Sequence, residues 1–241
     1  MGEAALWGLA GGSSLLIGAA FGLVLPNWPR LTGLALAFGA GTLISALTFE
    51  LTEEAFRLGG ADAVTIGLAA GALTYFAGDL LIDRRGGEMR MSPMGEQAQI
   101  PSTALLFGAV LDGIPESAVI GITLLEQPTV SVPVLAAVFL SNLPESFSSA
   151  SGMRDGHGAR YTVTVWALVV GVCGISAGLA FGLLDGASGN AIGGIQAFAA
   201  GAVLTMLADT MMPEAFKHGG KAAGLVTVLG FSLAYLLSTL E

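Results

Sequence analysis

The chain has 241 residues, of which 54% are hydrophobic and 11% are charged, with a formal net charge of −9 at pH 7. Soluble domains carry about a quarter charged residues, so this composition excludes an ordinary soluble domain and predicts an integral membrane protein. The acidic balance also argues against nucleic acid as a partner.

Eight hydrophobic segments follow one another, each long enough to cross about 30 Å of hydrocarbon as a helix. They cover residues 4–25, 31–57, 63–83, 101–124, 131–153, 160–184, 190–217 and 221–240. Barrel strands would be shorter and would alternate polar with apolar residues. The sequence therefore predicts an all-α integral membrane protein, a single domain over residues 1–241 with eight transmembrane helices. The first segment lacks a preceding basic residue and is too long for a signal h-region, so we expect it to be retained.

The basic residues predict how these helices are oriented. Eight of the nine fall in loops after segments 1, 3, 5 and 7, namely Arg30, Arg84, Arg85, Arg90, Arg154, Arg160, Lys217 and Lys221. Only Arg57 falls on the opposite side. Because short cytoplasmic loops are enriched in Arg and Lys, we expect both termini to lie outside, in a plasma or inner cell membrane.

The chain repeats itself at an interval of 160 residues. Residues 54–57, Glu-Ala-Phe-Arg, match residues 214–217, Glu-Ala-Phe-Lys, and a Gly-Gly pair follows both at 59–60 and 219–220. Segments 1–3 (residues 1–83) therefore correspond to segments 6–8 (residues 160–241), and each copy would cross the bilayer in the opposite direction. This predicts a 3+2+3 inverted repeat around a central helix pair, residues 101–153, an arrangement typical of transporters with a midplane substrate site.

The central pair carries two similar polar motifs, Asp-Gly-Ile-Pro-Glu-Ser at 112–117 and Ser-Asn-Leu-Pro-Glu-Ser at 141–146. An intramembrane carboxylate is costly and by default indicates an ion or proton pathway. Residues four apart share a helix face, and each internal proline leaves one backbone carbonyl without its usual donor. Carboxylate, amide, hydroxyl and carbonyl oxygens form a hard ligand set suited to divalent cations. The predicted metal ligands are Asp112, Glu116, Ser141, Asn142 and Glu145.

Two further acidic residues, Asp209 in segment 7 and Glu50 in segment 2, are candidate auxiliary residues. For Asp209, a structural hydrogen bond to a neighbouring helix is the alternative. Glu53 and Glu54 lie near the outer end of segment 2, where they would attract cations or simply be solvated. The loop at 84–100 is expected to be a disordered linker. No motif indicates an organic cofactor.

The eight helices, the 3+2+3 arrangement and the two Pro-Glu motifs resemble the ZIP family of divalent-metal transporters along the whole chain. In that family the fourth helix typically carries His-Asn-x-Pro-Glu-Gly, and the fifth a polar pair followed by x-Pro and an acidic or histidine residue. Here Asp112 stands in place of the histidine and Gly113 in place of the asparagine, while Ser141 replaces a common histidine or glutamine. The resemblance implies transport of Zn²⁺, Mn²⁺ or Fe²⁺ toward the cytoplasm, no enzymatic activity, and a homodimer.

Two other functions remain open at this point. A membrane-embedded hydrolase could use Asp112 and Glu116 as an acid and base pair, or a metal-bound water as the nucleophile. A metal sensor or regulatory subunit would bind the ion without transporting it, which the absent histidine allows.

Overall fold

The computed structural model describes residues 1–92, 94, 96–125 and 129–240, and within these ranges the chain is helical and contains no β-strand. The helices are α1 (Gly2–Val24), α2 (Pro29–Ala46), α3 (Glu53–Asp83), α4 (Ser102–Thr123), α5 (Val132–His157), α6 (Ala159–Leu184), α7 (Gly189–Met206), α8 (Met212–Gly219) and α9 (Ala222–Ser238). Two π-helical segments, Leu47–Thr52 and Leu207–Met211, connect α2 to α3 and α7 to α8. The all-α prediction is confirmed.

Five helical stretches in the described ranges are long and apolar enough to cross a membrane. They are Gly2–Val24, Pro29–Asp83, Ser102–Thr123, Ala159–Leu184 and Gly189–Gly219. The apolar helix α9 is shorter, and α5 is not among the five because it combines five serines with Glu145, Arg154 and Asp155. A membrane protein is therefore supported, while the count of eight spans and the inverted repeat stay predictions.

The stretch from Pro29 to Asp83 is 55 residues long and changes direction at Gly60. Gly60 has φ 71° and ψ −176°, a left-handed conformation that strains any residue with a side chain. Gly220, between α8 and α9, has a similar conformation with φ 62° and ψ −154°. The π-helical segments begin at Leu47 and Leu207. Both pairs of features lie 160 residues apart, which is the interval of the predicted repeat.

The helices pack in two groups. In the first group α1 contacts α5 and α6, and α6 contacts α4; in the second, α3 contacts α7, and α2 contacts α8 and α9. Gly18 and Gly22 of α1 lie directly against the α5 backbone, where a Cβ atom would clash with the carbonyls of Leu143 and Phe147. These two glycines therefore let the backbones of α1 and α5 approach closely. The two groups meet where α2 contacts α5 and α4 contacts α7.

Large apolar side chains cover the outside of the helices. More than half of the side-chain surface is exposed at Leu6 on α1, Ile66 on α3, Leu183 on α6 and Leu225 on α9. Soluble monomers rarely expose contiguous apolar surface on this scale. This surface is suited to contact with lipid.

The core contains two hydrophobic clusters that meet along α4 and α5. One cluster includes apolar residues from 104–109 of α4 and 150–153 of α5. The other includes apolar residues from 119–120 of α4 and 134–138 of α5. The two polar motifs, residues 112–117 and 141–146, lie between the clusters. We call these two motifs the polar layer. Both helices continue through their internal prolines, Pro115 and Pro144.

Candidate metal centre

All five predicted metal ligands lie in the polar layer and are at most 4% exposed: Asp112, Glu116, Ser141, Asn142 and Glu145. The carboxylate of Glu145 lies close enough to Asp112 and Glu116 for the three charges to interact. Sides of the membrane are named below according to the orientation predicted from the Arg and Lys residues.

Glu116 is a buried carboxylate that forms no ion pair in the described part of the chain. Neither Oε1 nor Oε2 has a partner at full hydrogen-bond geometry there, and the Ser141 hydroxyl is the neighbouring side chain that acts on its charge. The side chain lines a cavity of about 10 Å³ whose other walls are apolar, including Leu51, Val119 and Val134. Such a volume holds about one water molecule. Because a buried unpaired charge is very costly, this carboxylate is suited to receive a cation.

Asp112 is, in contrast, already hydrogen-bonded. The Tyr75 hydroxyl donates to its Oδ1, and Arg90 Nη2 lies 3.4 Å from the same oxygen. Tyr75 comes from α3, so α3 and α4 are connected at this point through two buried side chains.

Arg90 is a buried charged residue beside the polar layer that sequence reasoning missed, since it was assigned to a cytoplasmic loop. Only 4% of its side chain is exposed. Nη2 lies 2.6 Å from Asp79 Oδ1, and Nη1 lies 3.8 Å from Asp83 Oδ1. Burial acts to lower the pKa of Arg90, but Asp112 and Tyr75 act in the opposite direction and the pKa is raised. The guanidinium therefore stays charged.

A signal for this arginine was present in the sequence. Asp79 and Asp83 are four residues apart and share a face of α3, and together with Asp112 they require a cation nearby. Arg84 and Arg85, which follow directly in the sequence, are exposed. Sequence spacing alone does not distinguish these arginines from Arg90.

Other residues of the polar layer form hydrogen bonds within the protein. Ser141 Oγ donates to the carbonyl of Val138 at 3.0 Å, and the carbonyl of Asn142 accepts from Ser146 at 2.8 Å. Gly113 faces α6, where a Cβ atom would lie 3.2 Å from the Cys173 sulfur. This glycine therefore allows α4 to pack closely on α6.

Glu50 lies in a separate cavity of about 310 Å³ at the outer end of the bundle, which we call the outer cavity. Its walls are Phe49, Glu50, Glu53, Glu54, Arg57, Thr123, Ser131, Gln196, Tyr235 and Ser238. The Glu50 carboxylate accepts hydrogen bonds from the hydroxyls of Ser131 and Ser238. The structure therefore places this predicted auxiliary residue away from the buried ligands, on the outer approach to them.

Asp209 also lies apart from the polar layer. It is exposed on the π-helical segment that follows α7. Its charge acts on Asp83, at the cytoplasmic end of α3. Because its side chain is exposed, it is not one of the buried ligands.

Within the described ranges, no three Asp, Glu, His or Cys side chains are already arranged as a metal-binding group. Asp112 is held by Tyr75 and Arg90, while Glu116 borders the small cavity on the other side. In comparisons with known proteins, no protein-family model matches this chain and no curated protein matches it significantly.

Proposed function

We propose that this protein is a divalent-metal transporter of the ZIP type, which moves Zn²⁺, Mn²⁺ or Fe²⁺ toward the cytoplasm through the polar layer. The ligands in this proposal are Asp112, Glu116, Ser141, Asn142 and Glu145. The proposal includes eight membrane-spanning helices and the 3+2+3 inverted repeat. The 160-residue spacing of the π-helical segments and of the two left-handed glycines supports the repeat.

The observation that carries the proposal is the unpartnered carboxylate of Glu116 in the middle of an apolar bundle. A purely structural carboxylate would be expected to have hydrogen-bond donors around it, as Asp112 does. Glu145 adds a second buried carboxylate within electrostatic reach. A divalent cation would offset both charges at once.

The cavities support a route from outside to the polar layer. The outer cavity ends at Thr123, Ser131 and Glu50. The small cavity beside Glu116 is lined by the same three segments, at Val119, Val134, Leu47 and Leu51. Its apolar walls therefore lie next to the acidic outer cavity in the chain and surround the first buried carboxylate.

The test is uptake of Zn²⁺, Mn²⁺, Fe²⁺, Co²⁺, Cd²⁺ and Mg²⁺ into proteoliposomes that contain the full chain. We expect uptake of at least one transition-metal ion, and its loss in a Glu116→Gln, Glu145→Gln double variant. Glu3→Gln is the matched control, because Glu3 is an exposed residue of α1 and undergoes the same chemical change. Uptake that persists in the double variant would contradict the proposal. Binding that depends on Glu116 without uptake would instead favour a metal sensor.

A further inference from the structure

The chain between α3 and α4 folds back into the helix bundle at its cytoplasmic end, so it is not the disordered linker expected from the sequence. Met91, Ser92 and Gln97 are buried, while residues 93 and 95 lie outside the described ranges. The hydroxyl of Ser148 on α5 donates to the carbonyl of Met91 at 2.9 Å. Gln97 Nε2 donates to the carbonyls of Arg90 and Ser92 at 2.9 and 2.7 Å. We call residues 84–101 the inner loop.

The inner loop places one cation next to the proposed metal ligands. Nη2 of Arg90 lies 2.6 Å from Asp79 Oδ1, 3.1 Å from the Tyr75 hydroxyl and 3.4 Å from Asp112 Oδ1. Arg90 also lines a cavity of about 10 Å³ with Asp112, Glu145 and Trp166. The guanidinium is therefore the positive charge closest to the cytoplasmic side of the polar layer in the described part of the chain.

A metal ion bound at Asp112 Oδ1 would compete with this guanidinium for the same carboxylate oxygen. Oδ1 of Asp112 already accepts from Tyr75 and Arg90, so a cation that binds this oxygen must displace at least one of them. Two cations close together in a region of low dielectric also repel each other strongly. The present arrangement therefore suits a site without metal.

We propose that Arg90 is a tethered counter-cation of the metal site, which neutralises Asp112 until a divalent metal ion takes its place. This inference rests on the proposed function, because it requires that a metal ion binds in the polar layer. Arg90 lies on a loop and not on a helix, so it can withdraw toward Asp79 and Asp83 without moving a transmembrane segment. Its withdrawal frees Asp112 and loosens the inner loop, which links metal binding to opening on the cytoplasmic side.

The first experiment measures Mn²⁺ affinity of the purified full chain in detergent, from the electron paramagnetic resonance signal of free Mn²⁺. Arg90→Gln removes the competing charge and should tighten binding by about tenfold, toward the lower end of the usual range for coupled sites. Asp79→Asn removes the other close carboxylate, leaves Arg90 with Asp112, and should weaken binding. Arg90→Lys keeps the positive charge, so its Mn²⁺ affinity should stay closer to that of the unmodified protein. A general loss of folding would not produce effects of opposite sign.

The second experiment follows the inner loop itself, through maleimide labelling of Ser92→Cys. Ser92 is fully buried, and the native Cys173 is buried as well. We expect slow labelling that Mn²⁺ accelerates and that Arg90→Gln accelerates about tenfold without metal. Met94→Cys is the control, because Met94 is 58% exposed on the same loop and should label rapidly in every case.

The outcomes separate this inference from the proposed function. If Mn²⁺ binds in a Glu116-dependent way but both Arg90→Gln and Asp79→Asn leave its affinity unchanged, the counter-cation role is wrong and the transporter proposal stands. If no variant binds any of the transported metal ions, both are wrong. Labelling of Ser92→Cys that is unaffected by Mn²⁺ would also overturn the link between metal binding and loop release.

Discussion

The two sides of the polar layer differ in how their charges are satisfied. On the outer side, Glu116 is buried without a partner, below an acidic cavity of about 310 Å³. On the cytoplasmic side, Asp112, Asp79 and Asp83 surround Arg90, and the inner loop covers them. Buried carboxylates therefore occur in two different environments in this protein, one without an ion pair and one with a shared arginine. Glu116 forms no ion pair in the described part of the chain, whereas Asp79, Asp83 and Asp112 share the guanidinium of Arg90.

The largest expected effect concerns the cytoplasmic side. Arg90→Ala leaves Asp79 and Asp112 buried without their cation, and breaking a buried ion pair in this way costs about 3–5 kcal/mol. The free energy of unfolding, measured by denaturant titration in mixed micelles, should fall by that amount. Lys217→Ala breaks a half-exposed pair with Glu214 and should cost less than about 1 kcal/mol. Equal losses in the two variants would show that burial gives the ion pairs of Arg90 no special weight.

Glu116→Gln should have the opposite effect on stability and a large effect on function. Metal affinity should fall at least about 100-fold, because even loss of a residue that only supports a metal ligand costs about 10–100-fold. The free energy of unfolding should stay the same or rise, since an unpartnered charge is replaced by a neutral group of similar shape. Denaturant titration and metal binding on the same preparation check both effects. A clear loss of stability would show that Glu116 has partners after all.

Tyr75→Phe tests the hydrogen bond that holds Asp112. The variant keeps the ring and loses only the donor, so the free energy of unfolding should fall by about 1.5–3 kcal/mol, as for a hydrogen bond to a charged group. Tyr161→Phe is the matched control, because that hydroxyl donates to the neutral carbonyl of Ser102 and should cost about 1 kcal/mol. A larger fall in the free energy of unfolding for Tyr161→Phe than for Tyr75→Phe would contradict this prediction.

Glu50→Gln changes the outer approach and leaves the buried ligands intact. One unit charge acting on a divalent ion about 10 Å away in water contributes slightly less than about 1 kcal/mol, so the KM for uptake should rise about two- to fivefold. The difference should shrink as the salt concentration rises, because exposed charges are screened. A salt-independent loss of more than about 100-fold would instead make Glu50 a direct ligand.

Asp209→Asn should have the smallest effect. The residue is exposed and lies outside the polar layer, so both uptake and metal affinity should change less than about twofold. Uptake kinetics of the variant at saturating and limiting metal concentrations check this. A tenfold change would restore Asp209 as an auxiliary ligand.

Much of the fold was predictable because membrane helices must satisfy their backbone hydrogen bonds internally. Helix positions followed from the apolar segments, and the break at Gly60 followed from a Gly-Gly pair between two of them. The burial of Asp112, Glu116 and Glu145 together was also predictable, since carboxylates in apolar helices face the bundle interior. The π-helical segments were not predictable, because the sequence around Leu47 and Leu207 is typical of a continuous α-helix.

The sequence by itself determined the class of the protein, the helical segments and the residues of the polar layer, because hydrophobicity and helical periodicity are local properties. Only the tertiary structure decided which charges meet. Arg90 lies 22 residues from Asp112 along the chain and in a different type of element, yet the two side chains are in contact. A loop has no helical periodicity that predicts where its side chains point. The pairing of Arg90 with Asp112 therefore depends on how the inner loop packs against α3, α4 and α5. The same packing separates the paired carboxylate of Asp112 from the unpaired carboxylate of Glu116, one helical turn away.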